Sequence, residues 1–587
     1  MSGANEPTSQ KGRLIKLQTV LGGDTLVPTK ISGSEGLSSL FSYTLEVFSD
    51  TRHDIKANEL VGTQATFSLF QSDKTYRHFN GFIESLVSTH VQRGGQQSCY
   101  RITIISWLGM LANSSNCRIF QDKTVPDIIT EVFNLHAISK FDKKLQGHHP
   151  KHAYTVQYHE TDLAFVQRLM RREGIAFYFT HKQGEHTLHL VDKGHTLPAL
   201  SPSDKLYLHS GDRLHDQLTS WENTNQFVTG KYKQKAYNYK TPSTKLKLKA
   251  NAEGETSTIP QVMGMEHYRY NVDYGTSGDG NPDTEQRRND GVERQQIVYG
   301  AGHCRHLQAG HTFTVDTIPA NAEWPDSGKP FTLTQVNWTA SDHTHTSQAT
   351  TSDMVGYSMQ FEAISKGGLI APAAQVTPRI NGMQTAVVNG PPGSEIHTDK
   401  LGRICVKFHW DERPDTERNG ETSCWMRVMQ SMAGPGFGAQ FTPRIGQEVV
   451  IAFEEGHPDR PFVIGVLYHG EHAPPYDSHN GTRNGIKTRS TKGGGASNYN
   501  ELYFEDKKGK EQVYLHAEKD FDLKIENNQS HVIDHNLSYK VGDNETHMVG
   551  KEVVIDAGSK ILLKVGGSTI TITSSSIDIK SPTVNIN

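Results

Sequence analysis

The stretch Val541-Gly542-Asp-Asn-Glu-Thr-His-Met-Val549-Gly550-Lys-Glu-Val-Val-Ile-Asp-Ala557-Gly558-Ser-Lys-Ile-Leu-Leu-Lys-Val565-Gly566 holds four apolar–glycine pairs at a fixed step of eight residues. A fixed step implies stacked units rather than one closed core, and eight residues fall far short of the ~20 that a helical repeat needs. They suit a strand of about five or six residues and a tight corner at glycine, whose missing Cβ opens positive φ. Gly542, Gly550, Gly558 and Gly566 are therefore the expected corners, at positive φ, of a β-helix or prism. Beyond them, Ser568-Thr-Ile570-Thr-Ile572-Thr573 and Ser576-Ile577-Asp-Ile579-Lys580 alternate apolar and polar, as half-buried strands do. One octad supplies only about two or three inward side chains, because neighbours along a strand point to opposite faces. A single chain is thus too thin to enclose a core, and three chains wound together are expected to close it. Past Val565 the apolar step changes to seven, in Ile570, Ile577, Val584 and in Ile572, Ile579, Ile586. An odd step needs a different corner to keep those residues inward, so the tip is expected to differ locally from the shaft.

At 587 residues the chain has room for three or four domains. Charge is nearly balanced, 60 basic against 64 acidic residues, so overall composition points to no polyanion or membrane partner. Cys99, Cys117, Cys304, Cys405 and Cys424 are odd in number and lack C-x-x-C spacing, which argues for free thiols. Leu14 to Leu21 is interrupted by Lys16 and Gln18, so no signal peptide is expected, and no run reaches the length of a transmembrane helix.

The first dozen residues are polar and expected to be disordered. From Arg13 the pattern is strand-rich, with Tyr43-Thr-Leu45-Glu-Val47 and Tyr100-Arg-Ile102-Thr-Ile104 alternating. Two helices interrupt it. Thr124-Val-Pro-Asp127 reads as a capping box ahead of Ile128, Ile129, Val132 and Phe133. A second helix is predicted from about Thr161 to Glu173, with Leu163, Val166, Leu169 and Met170 on one face and Gly174 as its stop. Gly275–Asn289, rich in Gly, Asp and Asn, is predicted as a mobile surface loop. A compact unit follows Arg379, with strand candidates at 385–388, 403–410, 424–428, 448–453 and 461–464 separated by turn residues, the pattern of a small closed barrel of OB type. A Gly/Asn/Thr/Ser-rich stretch from Gly470 to Gly495 joins it to the repeat.

The sequence resembles VgrG, the valine–glycine repeat spike family of the bacterial type VI secretion system, over nearly its whole length. In the first part the resemblance lies in Cys117-Arg-Ile-Phe-Gln121, Tyr158-His-Glu-Thr-Asp-Leu-Ala-Phe165, Arg168-Leu-Met and Glu173-Gly-Ile175. It is strongest in Asp399-Lys-Leu-Gly-Arg403, Phe408-His-Trp-Asp411, Pro443-Arg-Ile-Gly-Gln-Glu-Val449 and Gly456-His-Pro-Asp-Arg-Pro461. His457 departs from the acidic residue of many relatives; Lys580-Ser-Pro-Thr-Val-Asn-Ile586 completes the match. The resemblance implies a mainly β chain: a disordered 1–12, a phage hub-like α+β part over 13–375, an OB-fold barrel over 379–470, a linker over 471–495 and a trimeric triangular β-prism over 496–587. It further implies a homotrimer on a hexameric tube protein, baseplate partners, non-covalently carried effectors and a PAAR-repeat tip protein. Such a spike is assembled in the cytoplasm and then injected. The cap is expected on the end formed by Val584, Ile586 and Asn587. A phage tail spike, an extracellular contractile injection device, or an envelope-glycan hydrolase are the alternatives.

Catalytic signatures are weak. Relatives can carry an enzymatic module after the needle or, in phage, between barrel and needle; the chain stops at Asn587, and Gly470–Gly495 is shorter than the ~50 residues of a domain. Glu454-Glu455 and Asp411-Glu412 are adjacent carboxylates, which a strand sends to opposite faces. Gly434-Pro-Gly-Phe-Gly438 lacks the spacing of a nucleotide loop and is expected to cross the barrel. His303-Cys304-Arg-His306 and His343-Thr-His345 have ligand-type residues but no evident partner pair. His516, His531, His535 and His547 lie in the needle, where one histidine facing a threefold axis would supply three ligands; outward or turn positions are the preferred reading. Between 481 and 587 there are 14 Lys/Arg and 14 Asp/Glu, so nucleic acid is not an expected partner of the needle. No enzyme, cofactor or metal is expected.

Overall fold

The computed structural model describes all residues except 1–8, 51–54, 90–96, 210–215, 252–258, 271–276, 319–323, 343–354, 366, 477–478, 480 and 587. The polar N-terminus, His343, His345 and Asn587 therefore lie wholly or in part outside the described residues. Two compact units are present, one of 1–484 with 491–493, the other of 485–490 with 494–587. Among the described residues no helix is long and apolar enough to cross a membrane.

The first unit is organised by a twelve-stranded sheet. Its N-terminal strands, which include Val27–Gly36, Ser39–Asp50 and Gln97–Ile105, join a later set through the pairing of Val27–Gly36 with Pro330–Asp342. Alternation decides the faces: Phe41, Tyr43, Leu45 and Val47 are buried, with Ile102 and Ile104 beside them from the neighbouring strand. Gly33 sits opposite Trp338, and a Cβ there would come within 2.5 Å of the indole ring. A side chain at that position would displace the ring from the core.

Both predicted helices form, each with a threonine cap. Thr124 accepts a hydrogen bond from Asp127 N at the start of Val125–Asn134, which buries Ile128, Ile129, Val132 and Phe133. Thr161 caps Asp162–Glu173 in the same way, and that helix stops at Gly174, whose φ of 69° is left-handed. The predicted loop over 275–289 is a correction. A helix spans Ser277–Glu293, and residues 275–276 lie outside the described set. Tertiary contacts outweigh its turn-rich composition: Asp290 pairs with Arg171 at 2.7 Å, and the helix packs on the strands Lys231–Ala236 and Leu246–Asn251.

The barrel sits in the same unit. Four strands pair in the order Cys405–Phe408, Gln384–Asn389, Glu448–Phe453, Pro461–Leu467. The fifth candidate, 424–428, is not a regular strand. It bridges the two edges instead, Met426 to Ile404 and Val428 to Val463, which closes the ring. Ala386, Val388, Ile404, Val406, Phe408, Met426, Val449, Ile451 and Val463 fill it, and Ile119, Tyr154 and Val156 from the preceding part join the same core. Gly434–Gly438 does not cross the barrel. Ala433–Gly434 and Phe437–Gly438 form an exposed hairpin, held at its base by Gln430, which both donates to and accepts from the Phe441 backbone.

Candidate functional site: the unpaired apolar face of the C-terminal unit

A three-stranded sheet of Arg483–Lys487, Glu501–Glu505 and Gln512–His516 holds the first strands of the C-terminal unit, which starts within Arg483–Lys487 at Gly485. From 517 to 559 the chain then makes no strand pairing with any of the described residues. Apart from Glu518 N, which donates to Asn500 Oδ1, the backbone hydrogen-bonding groups of this run find no partner among the described residues and are left for water or for another chain. Its apolar side chains are exposed with them, Val532, Leu537, Val541, Val549 and Val554 among them.

Beyond this run the chain folds into an antiparallel meander of Lys560–Val565, Ser568–Thr573 and Ile577–Lys580. Here the tip differs from the shaft, as the change of step required. Ile561, Ile572 and Ile577 form one cross-strand row, and Leu563, Ile570 and Ile579 form the next. With a side-chain period of two, all six project from the same face. The other face carries Lys560, Lys564, Thr569, Thr571, Asp578 and Lys580, with Leu562 as its apolar member. Among the described residues little covers the apolar face: Leu563 is 57% exposed, Ile577 68% and Ile579 53%, while Ile561 and Ile572 are half-buried. Covering each such side chain is worth about 1.5–3 kcal/mol, so the face is a strong association surface.

The chain bends at Gly542, Gly550 and Gly558 at the eight-residue step, but the expected positive φ needs a correction. Only Gly566 is left-handed, at φ 55°; Gly542, Gly550 and Gly558 are not. The reason is local: Gly566 makes a tight turn between two paired strands, whereas the other three sit at open bends between unpaired segments. Gly566→Val is therefore expected to cost about 1–3 kcal/mol per chain in backbone strain. Gly550→Val, with no atom within 4 Å of an added Cβ, does not incur that strain. Thermal unfolding of the two variants side by side checks this, and equal losses would refute it.

Other candidate residues are engaged structurally. Arg413 donates to both carboxylate oxygens of Asp411, at 2.9 and 2.8 Å, and Arg427 and Arg460 pair with Glu454. His303 hydrogen-bonds the Tyr357 carbonyl at 2.7 Å, while Cys304 and His306 are buried; burial pushes the Cys304 thiol up and the His306 imidazole down. In the C-terminal unit, His516 contacts the Tyr499 carbonyl, His547 contacts Glu545 and His531 contacts Gln529. His535 is exposed. Val584 and Ile586 are exposed, Ile586 to 89%. All five cysteines are free thiols. Among the described residues no group of three His, Cys, Asp or Glu side chains is placed to hold a metal ion.

Three family models match the chain. Residues 34–344 match a phage tail baseplate hub, 394–468 a type VI secretion system/phage-baseplate injector OB domain, and 484–580 the bacteriophage T4 gp5 C-terminal trimerisation domain. Among curated relatives, the type VI secretion system spike protein VgrG1b of Pseudomonas aeruginosa is 34% identical, covering 90% of this chain and 70% of the relative. VgrG1a of the same organism is also 34% identical, covering 90% and 80%. Among solved structures, an Escherichia coli component of the type VI secretion system, described as similar to T4 tail proteins gp27 and gp5, superposes with a TM-score of 0.54. That match covers 77% of this chain and all of the other at 21% identity, a likeness of fold. Hub, OB domain and trimerisation segment thus follow one another in the order of the fold described above, and the chain belongs to the VgrG family of type VI secretion system spike proteins.

Proposed function

We propose that three copies of the chain wind their C-terminal segments into one prism-shaped needle, forming the puncturing spike on a hexameric secretion tube. One observation carries this reading: a long run that bends every eight residues without strand pairing among the described residues, followed by a meander whose apolar face is largely uncovered. Both are what a strand needs when its partners are other chains. The work of such a spike is mechanical, with effectors carried non-covalently and baseplate proteins holding the hub. It assembles in the cytoplasm and leaves by injection. The proposed division is a hub over 13–375, a barrel over 379–470, a linker over 471–495 and the needle over 496–587.

Purification from the producing cell tests the assignment. A trimer that co-purifies with a hexameric tube protein of the type VI kind supports it. A phage-type tube in that position would assign the spike to another contractile machine, and hydrolysis of purified peptidoglycan would assign it an enzymatic role.

The cap is proposed to dock on Val584, Ile586 and the adjoining Asn587, as one copy of a PAAR-repeat protein. Exposed apolar side chains at the end of a β segment invite pairing with another chain. Ile586→Asp is expected to abolish pull-down of the cap while leaving the trimer intact, because the meander's apolar rows end at Ile579. Equal capture by both forms would place the cap elsewhere.

A further inference from the structure

The near balance of charge over the whole chain conceals a local excess. Lys231–Ala236, Leu246–Asn251 and Glu266–Tyr270 form a small sheet of their own, with Lys231–Ala236 in the middle. Tyr232, Gln234, Ala236, Leu246 and Leu248 are buried on one face, the side on which the helix Ser277–Glu293 packs. The opposite face carries Lys231, Lys233 and Lys235 on the middle strand, Lys247 and Lys249 on one neighbour, and Tyr268 and Tyr270 on the other. Lys233 lies directly opposite Lys249, and Lys235 directly opposite Lys247.

Like charges in opposed positions weaken a sheet, so this arrangement works against the stability of its own fold. Internal counter-charge is scarce. Glu266 pairs with Lys233 at 3.0 Å, but among the described residues Lys231, Lys235, Lys247 and Lys249 have no carboxylate within ion-pair distance. The surface is also held in place. The loop joining the two lysine strands is pinned to the barrel by Arg403, which donates to the Tyr239 hydroxyl at 2.7 Å, and by Arg427, 4.4 Å over the same ring. A preformed cationic surface loses little freedom when an anion binds.

We propose that this face docks a carboxylate-rich, extended segment of a partner protein. Alternate residues on a strand stand about 6.6–6.8 Å apart, so the lysine rows match the spacing of alternate Asp or Glu side chains in an extended peptide. The tyrosines favour a peptide over a nucleic acid. Lys233 lies 5.2 Å over the Tyr268 ring and Lys235 5.9 Å over the Tyr270 ring, so those rings are engaged by the protein's own ammonium groups. Single-stranded nucleic acids need such ring faces free for base stacking. No arginine lies on the face to fork onto phosphates.

Fluorescence anisotropy with the full-length protein tests the proposal, using as probe a labelled peptide of about twelve residues alternating Glu and Thr. The peptide is expected to bind, and to bind several-fold more weakly as salt rises from about 50 to about 200 mM. The combined variant Lys231→Gln, Lys235→Gln, Lys247→Gln, Lys249→Gln is expected to lose about tenfold or more in affinity while keeping or raising its melting temperature, since the opposed charges are relieved. Lys249→Glu alone, which sets a carboxylate opposite Lys233, is expected to fold and to bind several-fold more weakly. Replacing the exposed Lys507, Lys508 and Lys510 by Gln is expected to change nothing. No binding by the unaltered protein, or equal binding by the combined variant, overturns the proposal. So does tighter binding of an oligothymidylate or of anionic phosphatidylglycerol vesicles through the same lysines.

Discussion

An Ile570→Asp chain is expected to remain monomeric under conditions in which the unaltered protein is a trimer. Ile570 is on the middle strand of the meander, flanked in register by Leu563 and Ile579, so it is central to the apolar face. A carboxylate there would be buried by association without a cation opposite it, at a cost of roughly 3 kcal/mol or more per chain. Threefold repetition brings that to the order of 10 kcal/mol per trimer if the sites act independently. Leu562→Asp is the matched control. Leu562 pairs with Thr571 on the lysine-bearing face, where a carboxylate stays solvated beside Lys560 and Lys564. Light scattering of both variants decides the matter: a trimer of the Ile570 variant, or equal loss in both, would show that this face is not the one the copies share. Secretion of the tube protein is expected to fail with Ile570→Asp and to persist with Leu562→Asp.

The second large effect is expected in the hub. Asp162 is fully buried at the first turn of its helix and accepts hydrogen bonds from Arg118 at 3.0 Å, His136 at 2.9 Å and Gln157 at 2.7 Å. Burial pushes its carboxyl up, but the hydrogen bonds from Gln157, His136 and Ser114 and the charge of Arg118 outweigh it and hold the group below its ordinary value. Asp162→Ala leaves these donors without their acceptor and is expected to cost about 3–5 kcal/mol. The sign with pH follows from the lowered folded value. The stabilisation is fully present above the unfolded carboxylate range near pH 4 and is lost as pH falls through the folded value. The gap in denaturant midpoint between the two proteins should therefore be widest near neutrality and close in acid. A gap independent of pH between about pH 7 and pH 2 would mean that the loss is one of packing rather than of charge.

Asp162 illustrates how far the sequence could be read. The helix from about Thr161 to Glu173, its apolar face and Gly174 as stop were legible because helical period and a helix end depend on residues a few positions apart. The three donors that converge on Asp162 come from other elements, and no local pattern announces them. The barrel divides in the same way. Its four paired strands were legible as short strand candidates between turn residues, whereas the bridges of Met426 and Val428 to opposite edges depend on closure of the ring. Composition misled at Ser277–Glu293, where packing on the lysine sheet and the Arg171–Asp290 pair hold a helix through turn-forming residues. The lysine face had a readable signal in the alternation of Lys231, Lys233, Lys235 with Lys245, Lys247, Lys249, but chain-wide charge balance averaged it away.

By itself the sequence determined the succession of a strand-rich first part, a small barrel and a repeat, the two helices, and a C-terminal segment too thin to fold alone. These are properties of local period and spacing. Only the tertiary structure decided which glycine turns left-handed, which six side chains share the uncovered face, and which lysines oppose one another. Each of these depends on strand register, and register is set by contacts between residues distant along the chain.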